Sequence, residues 1–273
     1  MVLSHHEMTR LKSVLFLLFL FVVSISFGQV KPQSGAHAHN DYNNDRPLLD
    51  ALEHGFTSIE VDVLVINGEI YVGHDLPING YMLPTLDKLY LQLLDSIIKK
   101  NGGFLYPGFS IRCYLMIDIK TEAELTYKAL HELLLRYQSI INIGESGQNS
   151  GIHIFLSGNR PVQTVLNDEK RLVSLDGRPQ DLGKNYSANL MPVISQSYST
   201  YSSWDGMGEM PINDQHKIRS LARKVHDEGK KLRLWGHPDN ENTWTTLLTL
   251  GVDLINSDDL DGLSNYFSVK EEK

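Results

Sequence analysis

Short apolar runs that alternate with helix-length segments constrain the fold of this chain more than any other feature. The runs are 35–39, 58–66, 69–73, 111–119, 151–157, 171–175, 191–196, 231–236 and 252–256. Amphipathic segments lie between several of them, including 85–100, 121–137 and 213–228. Strands joined by helices form parallel sheets, because a parallel crossover needs a long connection. Eight main strands predict an α/β fold, a (β/α)8 TIM barrel that is slightly irregular, with 69–73 as an extra hairpin-like strand after strand 2.

Two local features refine this prediction. The connection 178–190 is rich in Gly, Asn and Ser and has no helical periodicity, so we expect a loop that covers one side of the barrel. The stretch Thr121-Glu122-Ala123-Glu124 has the spacing of a capping box and predicts the start of a helix.

The first thirty residues have the composition of a secretory signal. Arg10 and Lys12 precede an apolar run over 14–23, and small residues follow up to Gly28. This order of a basic start, a short apolar core and small residues is typical of a cleaved signal peptide. We therefore predict a signal peptide over 1–28 and a single barrel domain over 29–273. The protein is then secreted or periplasmic, with no stable membrane span after cleavage; the alternative is an uncleaved anchor.

Charge and cysteine content exclude several classes of function. The chain has 25 Lys and Arg against 33 Asp and Glu, a net charge of -8, which argues against a nucleic-acid partner. Cys113 is the single cysteine, so no intramolecular disulfide can form. Its apolar neighbours predict a buried, inert thiol. A small anionic substrate remains compatible with cations that are local to one pocket.

Carboxylates follow one another on the same face of the second and third main strands. Glu60 and Asp62 are two residues apart, as are Asp118 and Lys120, and side chains alternate between the faces of a strand. Carboxylates crowded together inside a barrel need a cation, and an all-oxygen set favours a hard ion. We predict one divalent cation, Ca²⁺ or Mg²⁺, at Glu60 and Asp62, with Asp118 as a third ligand. The alternatives are a polar strand face in water and a buried Asp118–Lys120 structural pair.

Three histidines are candidates for catalysis because they lie near predicted strand ends, where TIM barrels carry their active sites. His37 and His39 lie on the first strand, either as a metal-binding pair or with one of them as an acid or base. His39 is the better candidate because it lies closer to the barrel mouth. His74, followed by Asp75, ends the extra strand, and a hairpin there returns it to the carboxylates.

Taken together, these motifs resemble the phospholipase-C-like (PI-PLC-like) phosphodiesterase superfamily, which includes the glycerophosphodiester phosphodiesterases. The similarity extends to its altered inheritance of mitochondria protein 6 branch and covers residues 35–262. The motifs are HAHNDY, RPLLDALEHGFTSIEVDV, YVGHD, MIDIK, LSGNRP, LWGHPD and GVDLINSDDL.

The resemblance implies a metal-dependent phosphodiester hydrolase with two acid–base histidines. His39 and His74 are then the acid–base pair, and Glu60, Asp62 and Asp118 are the metal ligands. A substrate hydroxyl attacks phosphorus and gives a cyclic phosphate, while the metal and Lys120 neutralise the phosphate charge. The expected substrate is a small glycerophosphodiester or a lysophospholipid-like molecule.

The chain also departs from the motif of the family that it resembles. Asn40 and Asp41 follow His39, where the glycerophosphodiesterases have arginine and glycine. The loss of that arginine removes a bidentate phosphate contact. We predict that Asn40 and Arg160 contact substrate instead, and that Trp235 packs against its organic part. A surface ion pair is the alternative role for Arg160.

Two other functions remain open at this point. A metal-dependent amidohydrolase would use His37 and His39 as metal ligands, with Asp258 after the last strand as a ligand or base. That scheme needs further histidines at middle strand ends, whereas His153 lies at the start of its strand. The third hypothesis is a non-catalytic binding barrel, motivated by the missing arginine. Asp258 is otherwise a partner of the site residues or the cap of the last strand.

Overall fold

A closed parallel barrel forms the centre of the computed structural model, which describes residues 30–76, 83–144 and 149–271. Its strands are β1 (Gln33–Ala38), β2 (Phe56–Ile66), β3 (Glu69–Val72), β4 (Tyr114–Ile119), β5 (His153–Gly158), β6 (Ser174–Gly177), β7 (Val193–Ser197), β8 (Lys231–Trp235) and β9 (Leu254–Ser257). β1 pairs in parallel with both β2 and β9, which closes a ring of eight strands. β3 pairs antiparallel with β2 outside the ring. The predicted TIM barrel with one extra strand is confirmed.

Helices follow most of the strands and pack on the outside of the ring. They are α1 (Leu49–Glu53), α2 (Gln92–Lys100), α3 (Ala123–Leu134), α4 (Val162–Asn167), α5 (Ile212–Asp227), α6 (Glu241–Leu250) and α7 (Leu260–Glu271). The predicted loop 178–190 contains one short 3-10 turn, Pro179–Asp181, as its periodicity indicated. Among the described residues, no helix is both long enough and apolar enough to cross a bilayer. The predicted signal peptide, 1–28, lies outside the described residues.

The predicted capping box at the start of α3 is wrong by one residue. Glu122, not Thr121, is the cap, and its carboxylate accepts from the backbone N–H groups of Glu124 and Leu125. The Thr121 hydroxyl instead accepts from the backbone N–H of Val65 in β2. The Thr121 hydroxyl is therefore already bonded to a barrel strand. The carboxylate of Glu122, the next residue, accepts from the N–H groups at the helix N-terminus instead.

Two apolar clusters stabilise the barrel. The larger one lies between the strands and the helices and includes Cys113, whose burial raises the pKa of the thiol to about 12. The smaller one fills the barrel interior and consists of Tyr114, Met116, Phe155, Val193 and Leu254. Each of these inward residues is followed two positions later on its strand by another inward side chain, which lies closer to the carboxyl end.

Strand register decides which polar side chains become neighbours at that end. Asp62 of β2 is paired with Asp118 of β4, and Asp118 is paired with Ser157 of β5. The order Tyr114, Met116, Asp118 along β4 therefore places apolar side chains below and a carboxylate above. The barrel has an apolar floor and a polar mouth.

Candidate active site

Three carboxylates converge at the mouth of the barrel. One oxygen of each of Glu60, Asp62 and Asp118 lies within 4.8 Å of the other two. Alternation along β2 turns Glu60 and Asp62 inward, and register brings Asp118 beside them. Asp62 is fully buried, and the other two are nearly so. The three predicted metal-ligand residues thus form one cluster.

Lys120 only partly compensates the charge of the two aspartates. Its Nζ lies 3.3 Å from Asp62 Oδ1 and 3.1 Å from Asp118 Oδ1. Both of these oxygens are buried without a well-oriented hydrogen-bond donor among the described residues. Burial raises the pKa of Asp62 and that of Asp118, and the nearby Lys120 charge only partly opposes this. The carboxylates in turn raise the pKa of Lys120 despite its burial. The pair of orphan oxygens indicates an electrostatic need that one lysine does not satisfy.

Glu60 has a different environment, because two donors hold it. Arg233 Nη2 donates to Glu60 Oε2 at 2.6 Å, and His37 Nε2 donates to the same oxygen at 2.9 Å. Burial alone would raise the pKa of Glu60, but the charge of Arg233 and the bond from His37 outweigh it and lower that pKa to about 2. Arg233 is itself anchored, since its Nε donates to Asn256 Oδ1 at 2.7 Å. Glu60 is therefore fixed as an anion.

His37 lies below the mouth and supports Glu60. Its side chain is fully buried, and its Nδ1 lies 2.7 Å from the Ser58 hydroxyl. Burial, helped by the charge of Arg233, lowers the pKa of His37 to about 4, so the ring is neutral at physiological pH. With both ring nitrogens engaged, His37 has no free atom for a metal or a proton transfer. It is absent from the lining of the cleft described below.

His39 leaves the end of β1 and reaches the mouth. Its Nδ1 lies 2.8 Å from Asp258 Oδ1, one residue beyond β9. The backbone N–H of Asp258 donates to Asp239 Oδ2 at 3.0 Å, which fixes this carboxylate from a third loop. A carboxylate at Nδ1 favours the tautomer with a proton on Nδ1, which leaves Nε2 as an acceptor.

His74 approaches the carboxylates from the other side through the β2–β3 hairpin. Val63 pairs with Val72, and the backbone N–H of Gly73 donates to the Asp62 carbonyl at 3.0 Å. The His74 side chain is 61% exposed, with Nδ1 3.1 Å from Asp75 Oδ2. The hairpin therefore places an accessible imidazole beside the acidic cluster.

The turn after His39 divides its polar side chains between the cleft and the core. Asn40 adopts a left-handed conformation, with φ of 45°, and lines the cleft. Asp41 is buried and accepts from the backbone N–H of Leu48 and the Tyr90 hydroxyl, so its role is structural. The Tyr42 hydroxyl donates to Asp62 Oδ2 at 2.8 Å, a contact that sequence reasoning missed.

The mouth opens into a cleft of about 460 Å³, which we call the mouth cleft. Its lining residues are His39, Asn40, Glu60, His74, Asp118, Ile119, Lys120, Ser157, Gly158, Asn159, Arg178, Arg233 and Trp235. Trp235 is 44% exposed there, in the position expected for packing against a substrate. A larger surface groove of about 700 Å³, lined by residues such as Pro179, Tyr201 and Lys224, contains none of the predicted site residues.

The cations of the mouth cleft differ from those that the sequence suggested. Arg160 does not line the cleft; its Nε and Nη1 are buried without a hydrogen-bond acceptor among the described residues. Burial, together with the charge of Arg178, lowers the pKa of Arg160. Arg178 and Arg233 line the cleft instead. In the sequence, Arg233 stands between two leucines of an apolar strand. A charged side chain at such a position indicates a polar partner inside the barrel, and this pattern could have identified Arg233.

The donor set at the mouth fits a hard divalent cation. Its ligands are all carboxylate oxygens, two of them buried and without a good donor, and such a set prefers Ca²⁺ or Mg²⁺. Among the described residues, the acidic cluster is the one group of at least three potential ligands that is close enough to share an ion, and it contains no histidine. An amidohydrolase centre built on His37 and His39 is not supported, because both nitrogens of His37 are engaged.

Comparisons with known proteins agree with the geometry. A family model described as the AIM6-like phosphodiesterase domain matches residues 26–176, and one for the glycerophosphoryl diester phosphodiesterase family matches residues 231–261. The chain is 30% identical to altered inheritance of mitochondria protein 6 of Saccharomyces cerevisiae, with 82% of this chain and 68% of that protein covered. It is 28% identical to the homolog from Arthroderma benhamiae, with 85% and 83% covered.

A solved structure shares the fold. The crystal structure of a glycerophosphodiester phosphodiesterase from Parabacteroides distasonis superposes with a TM-score of 0.56 at 15% identity. The match covers 88% of this chain and 99% of that one. At this identity the likeness supports the barrel architecture alone.

Proposed function

The chain belongs to the AIM6-like phosphodiesterase domain family, and from that premise we propose that it hydrolyses small phosphodiesters with a divalent cation. The observation that carries the proposal is the meeting of three clustered carboxylates, two buried and one partly buried, with two accessible histidines, His39 and His74, at one cleft. Together they are the parts that phosphodiester cleavage requires.

Glu60, Asp62 and Asp118 would hold the cation, which is Ca²⁺ or Mg²⁺ by the hardness of these ligands. When bound, the ion supplies positive charge that stabilises the phosphate oxygens. Arg233 and His37 keep Glu60 ionised and oriented, and Tyr42 orients Asp62. Lys120, whose Nζ lies beside Asp62 and Asp118, would contact a phosphate oxygen as a second positive charge.

His39 acts as the base in this proposal. With Nδ1 directed to Asp258, its Nε2 accepts the proton of a substrate hydroxyl, and the hydroxyl oxygen attacks phosphorus. The bond from phosphorus to the leaving oxygen breaks, and His74 gives a proton to that oxygen. The products of this step are a cyclic phosphate and a free alcohol, and attack of water on phosphorus with cleavage of a ring P–O bond then completes the hydrolysis. Both histidines line the same cleft as Glu60 and Asp118, which supports this division of roles.

The substrate that fits is a small diester with an organic arm, such as a glycerophosphodiester or a lysophospholipid. The mouth cleft has a volume of about 460 Å³, and its charged lining residues lie on the barrel strands or in the loops directly after them. Trp235, at the end of β8, offers an exposed aromatic face for the organic arm.

Phosphorus NMR of a substrate panel tests the proposal. The panel contains glycerophosphodiesters, lysophospholipids and cyclic phosphates, each incubated with the protein in chelator and again after Ca²⁺ or Mg²⁺ is restored. We expect new phosphate resonances only when the ion is present, and turnover slower by about a hundredfold or more in His39→Ala or His74→Ala variants of unchanged melting temperature. A protein that leaves the whole panel unchanged in both ions is a binding barrel and not a hydrolase.

A further inference from the structure

We propose that Arg178 binds the substrate phosphate, donating from Nη2 to a non-bridging oxygen, in place of the arginine that this chain lacks after His39. This inference rests on the proposed function, because it assigns a phosphate ligand to the mouth cleft. It concerns a residue in the loop after β6, which has no part in the acidic cluster.

Arg178 is close enough to the cluster to share a phosphate with it. Ser157 is the register partner of Asp118 on the adjacent strand, and neighbouring strands lie about 4.8 Å apart. Arg178 Nη2 is 3.4 Å from Ser157 Oγ, and both residues line the mouth cleft. A phosphate in the mouth cleft near Asp118 and Ser157 is therefore within reach of both Lys120 and the guanidinium of Arg178.

The guanidinium is held in place from below. Arg178 Nη1 donates to Asp176 Oδ2 at 2.6 Å and to the Gly177 carbonyl at 3.0 Å. Asp176 is fully buried and also accepts from the Ser157 hydroxyl at 2.9 Å. These contacts orient the side chain before any ligand arrives, which reduces the entropic cost of binding.

Arg178 also keeps donors that no strong hydrogen bond with a described residue occupies. Arg233 is engaged by Glu60 and Asn256, and Lys120 lies between two carboxylates. Arg178 commits only Nη1 to strong hydrogen bonds with described residues, while its Nη2 has the long contact to Ser157. Its side chain is 26% exposed. A half-committed guanidinium that faces a cleft is suited to binding an oxyanion.

The test measures phosphate binding separately from turnover. Inorganic phosphate and glycerol phosphate are titrated calorimetrically into the wild-type protein and Arg178→Gln, in chelator and again in Mg²⁺. We expect Arg178→Gln to weaken binding between about tenfold and about a hundredfold, the range for a lost charged hydrogen bond. Arg178→Lys, which keeps the charge but loses the fork, is expected to be intermediate. Arg223→Gln, on the exposed side of α5, is the matched control and is expected to bind as wild type.

A second variant guards against misfolding. Removal of Arg178 alone leaves the buried Asp176 charge unpaired, so the double variant Asp176→Asn/Arg178→Gln is measured beside it, with melting temperatures for both. The inference is overturned if either well-folded variant binds phosphate as tightly as wild type. It is also overturned if wild type binds no phosphate in either condition.

The two proposals fail in distinguishable ways. If wild type hydrolyses diesters while Arg178→Gln keeps the wild-type KM and phosphate affinity, the inference fails and the hydrolase function stands. If wild type binds phosphate through Arg178 but hydrolyses no diester, the proposed function fails and the anion site stands. A rise in KM for Arg178→Gln, alongside weaker phosphate binding, supports both.

Discussion

At the floor of the barrel, hydrogen bonds and a ring contact engage the His153 ring, whereas at the mouth Asp62 and Asp118 each keep an oxygen that has only the Lys120 ion pair and no hydrogen-bond donor among the described residues. His153 Nε2 donates to the Ser174 hydroxyl at 2.7 Å, Arg112 Nη1 lies 3.1 Å from its Nδ1, and Tyr114 packs against the ring. Both ends bury polar side chains inside the same strands. Only the mouth leaves negative charge without enough partners.

The buried histidines show that burial itself does not mark the site. His37 at the mouth and His153 at the floor are both buried, and burial lowers the pKa of each, to about 4 and about 3. What differs is the charge nearby, because His37 supports an anion and His153 does not. A buried oxygen without a donor costs stability, so its retention in a folded barrel indicates a ligand.

Paired variants at the two ends are expected to give the largest contrast. Asp62→Asn removes a metal-ligand oxygen, and we expect it to lower kcat/KM about a thousandfold or more. Since burial raises the pKa of Asp62, a neutral amide is expected to leave the free energy of unfolding unchanged or higher. Phe155→Ala, in the floor, is expected to cost about 3–5 kcal/mol of stability while the folded enzyme keeps its kcat.

Urea unfolding and steady-state kinetics on both proteins check this contrast. An Asp62→Asn protein as unstable as Phe155→Ala would show that the mouth carboxylate is structural, and the proposed difference between the mouth and the floor would be wrong.

Variants of His39 and Asp258 separate the loss of a catalytic group from the loss of the residue that positions it. We expect His39→Ala to lower kcat between about a hundredfold and about ten thousandfold, the usual range for an acid or base. Asp258→Asn keeps the ring but loses its tautomer control, and a loss of about tenfold to a hundredfold is expected. Kinetics across the pH range check the order, with Asp227→Asn on the exposed end of α5 as control. Equal losses in both variants would remove the distinction between the two roles.

Substitution of Gly158 tests whether the Asp118 carboxylate needs the space that this glycine leaves beside it. Its φ is +65°, and a Cβ there would overlap Asp118 Oδ1 and the Ile119 carbonyl. Gly208, with φ of +62°, has open space around the same position and isolates the backbone effect. We expect Gly208→Ala to cost about 1–2 kcal/mol, and Gly158→Ala to cost more and to weaken Ca²⁺ binding as well. Thermal unfolding and calorimetry check both; matching losses without a change in ion binding would show that Gly158 serves the turn alone.

The last expected effect belongs to the floor and depends on pH. Burial, with the charge of Arg112, lowers the pKa of His153 to about 3, below the unfolded value of 6.5. Between these values the unfolded state binds more protons, so the contribution of His153 is complete above pH 6.5 and is lost as the pH falls. From pH 7 to pH 5 we expect wild type to lose about 2 kcal/mol more than His153→Gln.

Urea unfolding at the two pH values measures that difference, with the exposed His216→Gln as control. An identical pH dependence in wild type and His153→Gln would mean that the floor accepts a charged imidazole, which contradicts the proposed difference between the floor and the mouth.

Much of the site follows from period-two alternation along single strands. That rule places Glu60 with Asp62, while the order of the apolar runs predicts the hairpin that returns His74 and puts His153 at the start of its strand, away from the catalytic end. These are relations within one strand or between neighbours in the chain. They do not depend on how the barrel closes.

Alternation along a strand does not predict how deep in the barrel a side chain lies, or which side chains of distant strands contact each other. His37 and His39 share a face, yet one is buried below the mouth and the other reaches it, because depth depends on strand stagger. The contacts of Arg233 to Glu60 and of Asp258 to His39 join β8 and β9 to strands far away in sequence. Arg160 and Arg178 are equally plausible from their positions after strands, and only the path of each loop separates them.

Ion binding tests the central claim most directly. Chelator-treated wild-type protein is titrated with CaCl₂ and with MgCl₂ in a calorimeter, beside the Asp118→Asn variant and the Asp227→Asn control. We expect one bound divalent ion per chain in wild type and in the control, and at least a tenfold weaker site in Asp118→Asn, since one of three ligand oxygens is neutralised. Absence of binding of either ion to wild type, or equal binding by Asp118→Asn, would contradict the assignment of the mouth as a metal centre.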